Sequence, residues 1–281
     1  MATLRQLRTR ISSITNIQSV TNAMQLVAAA RMRRAQELIL AARPYAQQLD
    51  RVLQRLSGNI GSLSHPFLTE RPIVKTAFIV LTSDRGLCGG FNANSCRMAF
   101  DEVQADDGVI AVGRKGRSFF RARNVDLLSD YEDVFRELSF SSAAAIAEDA
   151  KNRFLTGEVD RVMLVYNEFV SVAQQQPVAE QLLPIVPKES EEIGGGQYLF
   201  EPSPEVLLET LIPRHVNFQV WRALLESNAG EQAARMRAMD NATKNAGDVL
   251  EELTREMNKE RQSSITLELM DIIGGAEAVA Q

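Results

Sequence analysis

The chain has 281 residues, of which 45% are hydrophobic and 6% aromatic, and its net charge is −5. This composition is that of a globular protein of one or two domains and excludes an intrinsically disordered chain. The acidic balance argues against a nucleic-acid-binding protein. No stretch approaches the roughly 18 consecutive apolar residues of a membrane-spanning helix, so no membrane span is predicted.

Residues 1–57 predict one long helix. There is no glycine before Gly58, and apolar residues recur at steps of three and four. The predicted apolar face, with a one-residue slip after Ile14, comprises Leu4, Leu7, Ile11, Ile14, Ile17, Val20, Met24, Val27, and then Ala35, Leu38, Ala42, Tyr45, Leu49, Val52 and Leu56. Pro44 is expected to bend or break the helix locally, because proline removes one hydrogen bond and clashes with the preceding turn.

Residues 58–204 predict an α/β domain. Short, β-branched, continuously apolar runs predict strands at 76–82, 109–113 and 161–167, and helical stretches at 94–103 and 141–155 lie between them. This alternation is typical of a parallel sheet that is buried on both faces. The charged, glycine-rich segment 188–197 predicts a loop.

Residues 205–281 predict a second long helix. From Met236 the three-four spacing continues through Met239, Thr243, Ala246, Leu250, Leu253 and Met257, and the helix is expected to stop near Gly274 and Gly275. Small side chains at Thr243 and Ala246 would let a partner helix approach closely.

The two terminal segments carry opposite charges. Residues 1–60 hold nine arginines and two acidic residues, a net +7, whereas residues 201–281 hold eight basic and fourteen acidic residues, a net −6. Two long helices of opposite charge favour an antiparallel coiled coil. A helical bundle is the alternative, and it is less favoured because such long periodic stretches need a rod or a large partner to bury them.

The stretch "SDRGLCGGFN" (83–92) follows the first predicted strand and resembles a phosphate-binding loop only in its glycines. It lacks the G-x-x-x-x-G-K-[ST] pattern of a P-loop and the G-x-G-x-x-G order of a dinucleotide site. Nucleotide binding therefore rests on analogy of fold alone, and a structural or partner-docking role is favoured.

The sequence contains few candidates for catalytic or metal-binding residues. His65 and His215 are isolated, so no metal site is predicted. Cys88 could be a reactive thiol, although a lone cysteine is more often a small buried apolar residue. The basic segment 114–123 is expected to be a surface patch. We predict no catalytic residue and no cofactor.

Three stretches together resemble the gamma subunit of F-type ATP synthases. They are "ITNIQSVTNAMQLVAAARMRRAQ" (14–36), "SDRGLCGGFN" (83–92) and the long C-terminal stretch 231–279. The resemblance covers essentially the whole chain in order, and three long motifs are more specific than any one of them. It implies an antiparallel coiled coil of the N- and C-terminal helices and a Rossmann-like central α/β domain that holds no nucleotide.

The resemblance also implies a function. The chain would be the central rotor shaft, present once per three alpha and three beta subunits, and would contact the epsilon subunit and the membrane c-ring. It would lie on the cytoplasmic face of a bacterial plasma membrane as a peripheral protein. The positions that match the contacts of the family with the beta subunit are Met24, Arg85, Cys88, Arg261, Gln262 and Thr266.

Two other functions stay open at this stage. A nucleotide-dependent enzyme of the α/β domain predicts that the isolated chain binds nucleotide, and the missing P-loop lysine argues against it. A coiled-coil scaffold or chaperone-like protein predicts promiscuous binding of apolar surfaces. That hypothesis leaves the polar residues around Gln262 and Thr266 unexplained.

Overall fold

The structure is a computed structural model that describes residues 3–59, 65–186 and 204–279. Helix α1 (Leu4–Asn59) begins the described chain and helix α5 (Pro204–Val279) ends it. The chain divides into two compact units, Met1–Ala28 with Met236–Gln281, and Ala29–Arg235. The division into domains at 57/58 and 204/205 stays a prediction, and the predicted loop at 188–197 lies outside the described residues.

In the described part of the second unit, five strands form one sheet in the order β3-β2-β1-β4-β5. Their bounds are β1 (Thr76–Leu81), β2 (Gly108–Val112), β3 (Asp126–Tyr131), β4 (Arg161–Phe169) and β5 (Gln175–Leu183). Strands β1 to β4 pair in parallel, and β5 pairs antiparallel with β4. The three predicted strands are β1, β2 and β4, and all three are confirmed.

The edge strands β3 and β5 were not predicted. Every residue of β1 and β2 is buried, whereas most residues of β3 and β5 are half-buried or exposed. Edge strands carry polar residues that interrupt the continuous apolar pattern of central strands. The predicted parallel sheet is confirmed for β1 to β4, and β5 adds one antiparallel strand along an edge.

Helices cover both faces of the sheet. They are α2 (Phe91–Glu102), α3 (Arg114–Arg121) and α4 (Phe140–Leu155), together with the first turns of α5. Phe78 and Val80 of β1 belong to the core cluster under α2 and α3. Ile79 and Leu81 belong to the opposite cluster, under α4 and α5, because successive side chains of a strand point to opposite faces.

The basic segment 114–123 is only partly the surface patch that its sequence predicts. It contains α3, whose Phe120 is completely buried in the core. Arg114 donates to the carboxylate of Asp133 at 2.6 Å, so part of its positive charge is balanced within the chain. The helix was not predicted, because its apolar side consists of the two neighbouring aromatic residues Phe119 and Phe120, which show no helical period.

In the first unit, α1 and α5 pair antiparallel. The hydroxyls of Thr21 and Thr243 lie 2.7 Å apart, and Gln25 donates to Asp240 at 3.1 Å. The helices are antiparallel, because the higher residue number on α1 pairs with the lower residue number on α5. The buried Ala246 and the half-buried Thr243 confirm the predicted face of α5.

The predicted slip in the apolar face of α1 is wrong. The seam is the line of α1 residues that faces α5, and it keeps a regular three-four spacing. Its members, all buried or half-buried, are Leu7, Ile11, Ile14, Gln18, Thr21, Gln25 and Ala28. Ile17, Val20 and Val27 are instead at least half exposed. The prediction from hydrophobicity assigned these apolar residues to the helix interface, but they lie on the outer side of α1. Polar residues that hydrogen-bond to α5, such as Thr21 and Gln25, lie in the interface instead.

Helix α1 continues through Pro44, so the break expected as one outcome does not occur, and the predicted stop of α5 near Gly274 and Gly275 is wrong. Helix α5 runs on past Gly274 and Gly275 to Val279. Single prolines and glycines impose local penalties, which a long helix with a packed face can absorb.

Glu226 of α5 introduces a pH dependence into the second unit. Burial raises the pKa of its carboxyl to about 7, and the charges of Glu168 on β4 and Glu180 on β5 add to the rise. Arg222 and the backbone N–H of Phe169 oppose it. Arg222 is only a partial counter-charge, because it also binds the carboxylate of Glu180 at 2.7 Å.

Glu226→Gln is therefore expected to stabilise the chain above neutral pH. The folded state holds the Glu226 proton up to about pH 7, whereas the ordinary pKa is 4.5, so stability falls as pH rises between these values. Glutamine removes that loss, and we expect a gain of about 2 kcal/mol in the free energy of unfolding at pH 8. Denaturant melts at pH 8 and pH 4.5 measure it, with Glu252→Gln of the same helix as control. An equal effect at both pH values would contradict the assignment. Arg43 of α1 lines the same small cavity as Glu226 and is a further positive charge near that carboxyl.

Candidate functional site

The loop 83–92 lies at the carboxyl edge of the sheet and is held by its own polar groups. The backbone N–H of Ser83 donates to the side chain of Asn92 at 2.8 Å, and the amide of Asn92 donates to the sulfur of Cys88 at 3.2 Å. Asp84 accepts from the backbone N–H groups of Arg114 and Asp133, both at 3.1 Å. The loop is therefore tied to the turns that follow β2 and β3.

Helix α5 fills the crevice where α/β sheets of this kind bind ligands. That crevice lies at the carboxyl ends of the strands where the strand order reverses, here between β1 and β4. The backbone N–H of Asn167 donates to the hydroxyl of Ser227 on α5 at 3.4 Å. The side-chain amide of Asn167 donates to Ser95 at 2.6 Å and to the carbonyl of Phe91 at 3.3 Å.

Gly230 of α5 packs close to this edge of the sheet. A Cβ atom at Gly230 would lie 3.3 Å from the ring of Phe91 and 3.7 Å from the carbonyl oxygen of Asn167. A Cβ atom there would require the Phe91 ring to shift by a few tenths of an ångström, so α5 packs closely against this edge. The chain's own helix thus takes the space that a nucleotide would need in a dinucleotide-binding protein.

A buried ion pair joins α5 to the same loop. Arg235 binds Glu231 at 2.6 Å, one turn away, and both side chains are at most one-tenth exposed. The same guanidinium donates to the carbonyl of Gly86 at 3.3 Å. Burial raises the pKa of Glu231, and the charge of Arg235 opposes that rise. Glu231 Oε2 has no hydrogen-bond donor in the described chain.

The loop presents Arg85 and Leu87 outward and Cys88 inward. Arg85 is exposed and the side chain of Leu87 is 62% exposed, whereas that of Cys88 is 1% exposed. Burial raises the pKa of the Cys88 thiol, which makes it a poor nucleophile. Within residues 3–59, 65–186 and 204–279, no three His, Cys, Asp or Glu side chains come together as metal ligands.

The other predicted site residues lie in the first unit. Met24 is half-buried beside the seam of α1 and α5. Arg261, Gln262 and Thr266 are exposed on α5, and the Thr266 hydroxyl donates to the carbonyl of Gln262 at 3.0 Å. The register of the seam places Met24 opposite Asp240, so Met24 and Arg261 lie roughly 30 Å apart along α5 at 1.5 Å per residue.

The end of α5 carries an exposed apolar surface. Since the seam pairs Thr21 with Thr243, the start of α1 at Leu4 lies level with residue 260, and the last turns of α5 run past it by about 28 Å. The large apolar residues there, each about half exposed or more, are Ile265, Leu267, Leu269, Met270, Ile272 and Ile273. Several large apolar side chains that are exposed along one helical segment are typical of an interaction site.

The structure brings together two groups of the predicted residues: Arg85 with Cys88, and Arg261 with Gln262 and Thr266. The sequence reading missed Leu87, Glu231 and Arg235. Glu231 and Arg235 stand at i, i+4, which is a visible signal, but this spacing is also common on exposed helix faces. Only the packing of the loop shows that the pair is buried.

Comparison with known proteins supplies the family. The family model described as ATP synthase matches residues 3–279. The ATP synthase gamma chain of Chlorobaculum parvum is 48% identical over the full length of both chains. The chain belongs to the ATP synthase gamma chain family. The resemblance drawn from the sequence is thereby confirmed.

Solved structures agree with this assignment. A chain of the central stalk and c-ring of the Tetrahymena thermophila mitochondrial ATP synthase matches with 26% identity and a TM-score of 0.59, over 79% of this chain and 99% of that one. A chain of the Euglena gracilis mitochondrial ATP synthase, from the OSCP/F1/c-ring assembly, has 22% identity and a TM-score of 0.73, over 98% and 94%. The second match supports the fold: long terminal helices with a central α/β domain.

Proposed function

We propose that this protein is the central rotor shaft of a proton-translocating F-type ATP synthase. The observation that carries the proposal is the full-length identity of 48% to an ATP synthase gamma chain. The similarity to a chain of the central stalk and c-ring supports it. The chain is a non-catalytic subunit, and the catalytic sites that it drives lie on the beta subunits.

The shaft turns with the c-ring and changes the conformation of each beta subunit in sequence. A shaft that bound all conformations of beta equally well would shift none of them, so its surface must differ around its axis. The paired helices provide such a surface: Gln18, Thr21 and Gln25 lie in the seam beside apolar residues, and Ile17, Val20 and Val27 are exposed on one side of α1. Contacts with beta through Met24, Arg85, Cys88, Arg261, Gln262 and Thr266 belong to this proposal.

The partners follow from the same role. One copy serves three alpha and three beta subunits, and the α/β domain contacts the epsilon subunit and the c-ring. Among the described residues, no helix combines the length and apolar character needed to cross a bilayer. The protein is part of the membrane-associated F1 sector and lies on the cytoplasmic face of a bacterial plasma membrane.

The alternative functions are less well supported. A nucleotide-dependent enzyme would need the crevice between β1 and β4, which Ser227 and Gly230 of α5 fill. A free scaffold would have no reason to match gamma chains from end to end. The ATPase activity of alpha and beta subunits, measured with and without this chain after size-exclusion chromatography, tests the rotor role. Absence of a complex with one copy of the chain would contradict it.

The exposed pair Arg261 and Gln262 provides a mutational test. Replacement of both by alanine is expected to lower the coupled ATPase turnover of the assembled complex and to leave the melting temperature of the chain unchanged, because both side chains are exposed. The double variant Glu251→Ala/Arg255→Ala, on the same helix, removes another exposed pair and is the control. Unchanged turnover in a well-assembled Arg261/Gln262 variant would contradict the contact with beta.

A further inference from the structure

Helix α1 carries two lines of residues after Ile14 that compete to face α5. The seam continues through Gln18, Thr21, Gln25 and Ala28. The second line, the apolar stripe, consists of Ile17, Val20, Met24 and Val27. Each residue of the stripe precedes a seam residue by one position, so the two lines lie about 100° apart around the helix axis at 3.6 residues per turn.

Burial of apolar surface alone would turn the apolar stripe toward α5. The stripe holds only large apolar residues, whereas most of the seam after Ile14 is polar. Ile17, Val20 and Val27 nevertheless stay at least half exposed, and the polar seam residues are half-buried. Since apolar side chains left in water contribute little to stability, hydrophobic burial is not what sets the rotation of α1.

Polar groups of α5 select polar partners on α1. The carboxylate of Asp240 accepts from Gln25 at 3.1 Å and from Lys244 at 2.7 Å, so both of its oxygens are bound. The hydroxyls of Thr21 and Thr243 lie 2.7 Å apart. If the apolar stripe faced α5, Asp240 and Thr243 would lie against apolar side chains and lose these partners, which costs free energy at half-buried positions.

We propose that Asp240 and Thr243 set the rotation of α1 about its own axis and thereby keep the apolar stripe at the surface. Polar residues in a helix interface fix how the helices align, at a cost in stability. Gln18 adds a contact, because its amide donates to the carbonyl of Thr243 at 3.5 Å, and a Cβ atom at Gly247 would lie 3.2 Å from that amide. The consequence for the rotor rests on the proposed function, since this rotation determines where Met24 lies on the helix pair.

The variant Asp240→Leu/Thr243→Val tests the proposal in the isolated full-length chain. It makes this part of α5 apolar, so α1 is expected to turn its apolar stripe toward α5. A cysteine introduced as Val20→Cys reports the rotation: its labelling by a maleimide should slow about tenfold, because a thiol in a packed interface reacts only after local opening. Cys88 and Cys96 give little background, because both are 1% exposed and burial raises the pKa of each thiol.

A second cysteine distinguishes rotation from loosening. Thr21→Cys, in the seam, should be labelled faster in the Asp240→Leu/Thr243→Val chain, while Val20→Cys is labelled more slowly. Faster labelling at both positions would mean that the polar pairs only hold the helices together, and unchanged rates would mean that other contacts set the rotation. Either result overturns the inference.

A matched control makes the same substitutions outside the seam. Asp248→Leu/Thr254→Val changes two exposed residues of α5, and both labelling rates should stay as in the wild type. In the complex with alpha and beta subunits, Asp240→Leu/Thr243→Val should lower coupled ATPase turnover and the control should not. Wild-type turnover together with the expected labelling would support the rotational setting and contradict the contact of Met24 with beta in the proposed function.

Discussion

Replacement of Arg235 by glutamine is expected to lower the free energy of unfolding by about 3 kcal/mol, because it leaves Glu231 charged and buried without its partner. Both side chains are at most one-tenth exposed and lie 2.6 Å apart. The carbonyl of Gly86 loses a donor at the same time, so the loop 83–92 should loosen. Denaturant melts of the full chain measure the first effect, and hydrogen exchange of the loop amides measures the second.

The deficit of the Arg235→Gln variant should depend on pH. Burial already raises the pKa of Glu231, and loss of the neighbouring positive charge raises it further. A group with a raised folded-state pKa destabilises the fold above that pKa, and the penalty disappears as pH falls and the carboxyl becomes neutral. The variant should therefore approach wild-type stability in acid.

The pair Arg255 and Glu251 is a matched control on the same helix. It has the same i, i+4 spacing, but its side chains are 77% and 67% exposed. Arg255→Gln should change the free energy of unfolding by less than about 0.5 kcal/mol, since exposed pairs contribute little. If both arginine variants lost the same stability, burial of the Glu231 pair would not be the cause.

The long helices and the central strands could be predicted because their apolar patterns are strong and local. Met239 and Ala246 of α5 follow the helical period, and β1 and β2 are buried along their whole length. The limits of this approach appear where polar residues occupy buried positions. Thr21 and Gln25 belong to the seam through hydrogen bonds to α5, which no hydrophobicity pattern contains.

The candidate site could be predicted only in part for a similar reason. The motif of residues 83–92 located the loop, but the direction of each side chain depends on contacts that come from distant parts of the chain. Cys88 is buried because Asn92 and the surrounding loop enclose it, and Leu87 is exposed because its φ is positive. Arg235 reaches the loop from a helix almost 150 positions away in sequence.

The glycine on which this edge of the sheet depends is Gly113, outside the motif. It follows β2 with φ 94° and ψ 144°, a region that only glycine occupies readily. A Cβ atom there would lie 2.1 Å from the carbonyl oxygen of Thr82. That backbone cannot retreat easily, since the N–H of Thr82 donates to the carbonyl of Val112 at 2.8 Å and the N–H of Gly113 donates to that of Tyr131 at 2.8 Å.

Gly113→Ala is accordingly expected to cost more than about 4 kcal/mol of the free energy of unfolding, the range of severe backbone and packing conflicts. Relief of the contact requires β1 and β2 to separate, which would also displace the loop 83–92. Gly86→Ala in that loop is the control, because its nearest neighbour would be Lys115 Cε at 3.9 Å and the position has no positive φ. Thermal melts and the yield of folded full-length chain measure both variants. A Gly113→Ala chain that melts like the wild type would show that the strand edge yields more readily than its hydrogen bonds imply.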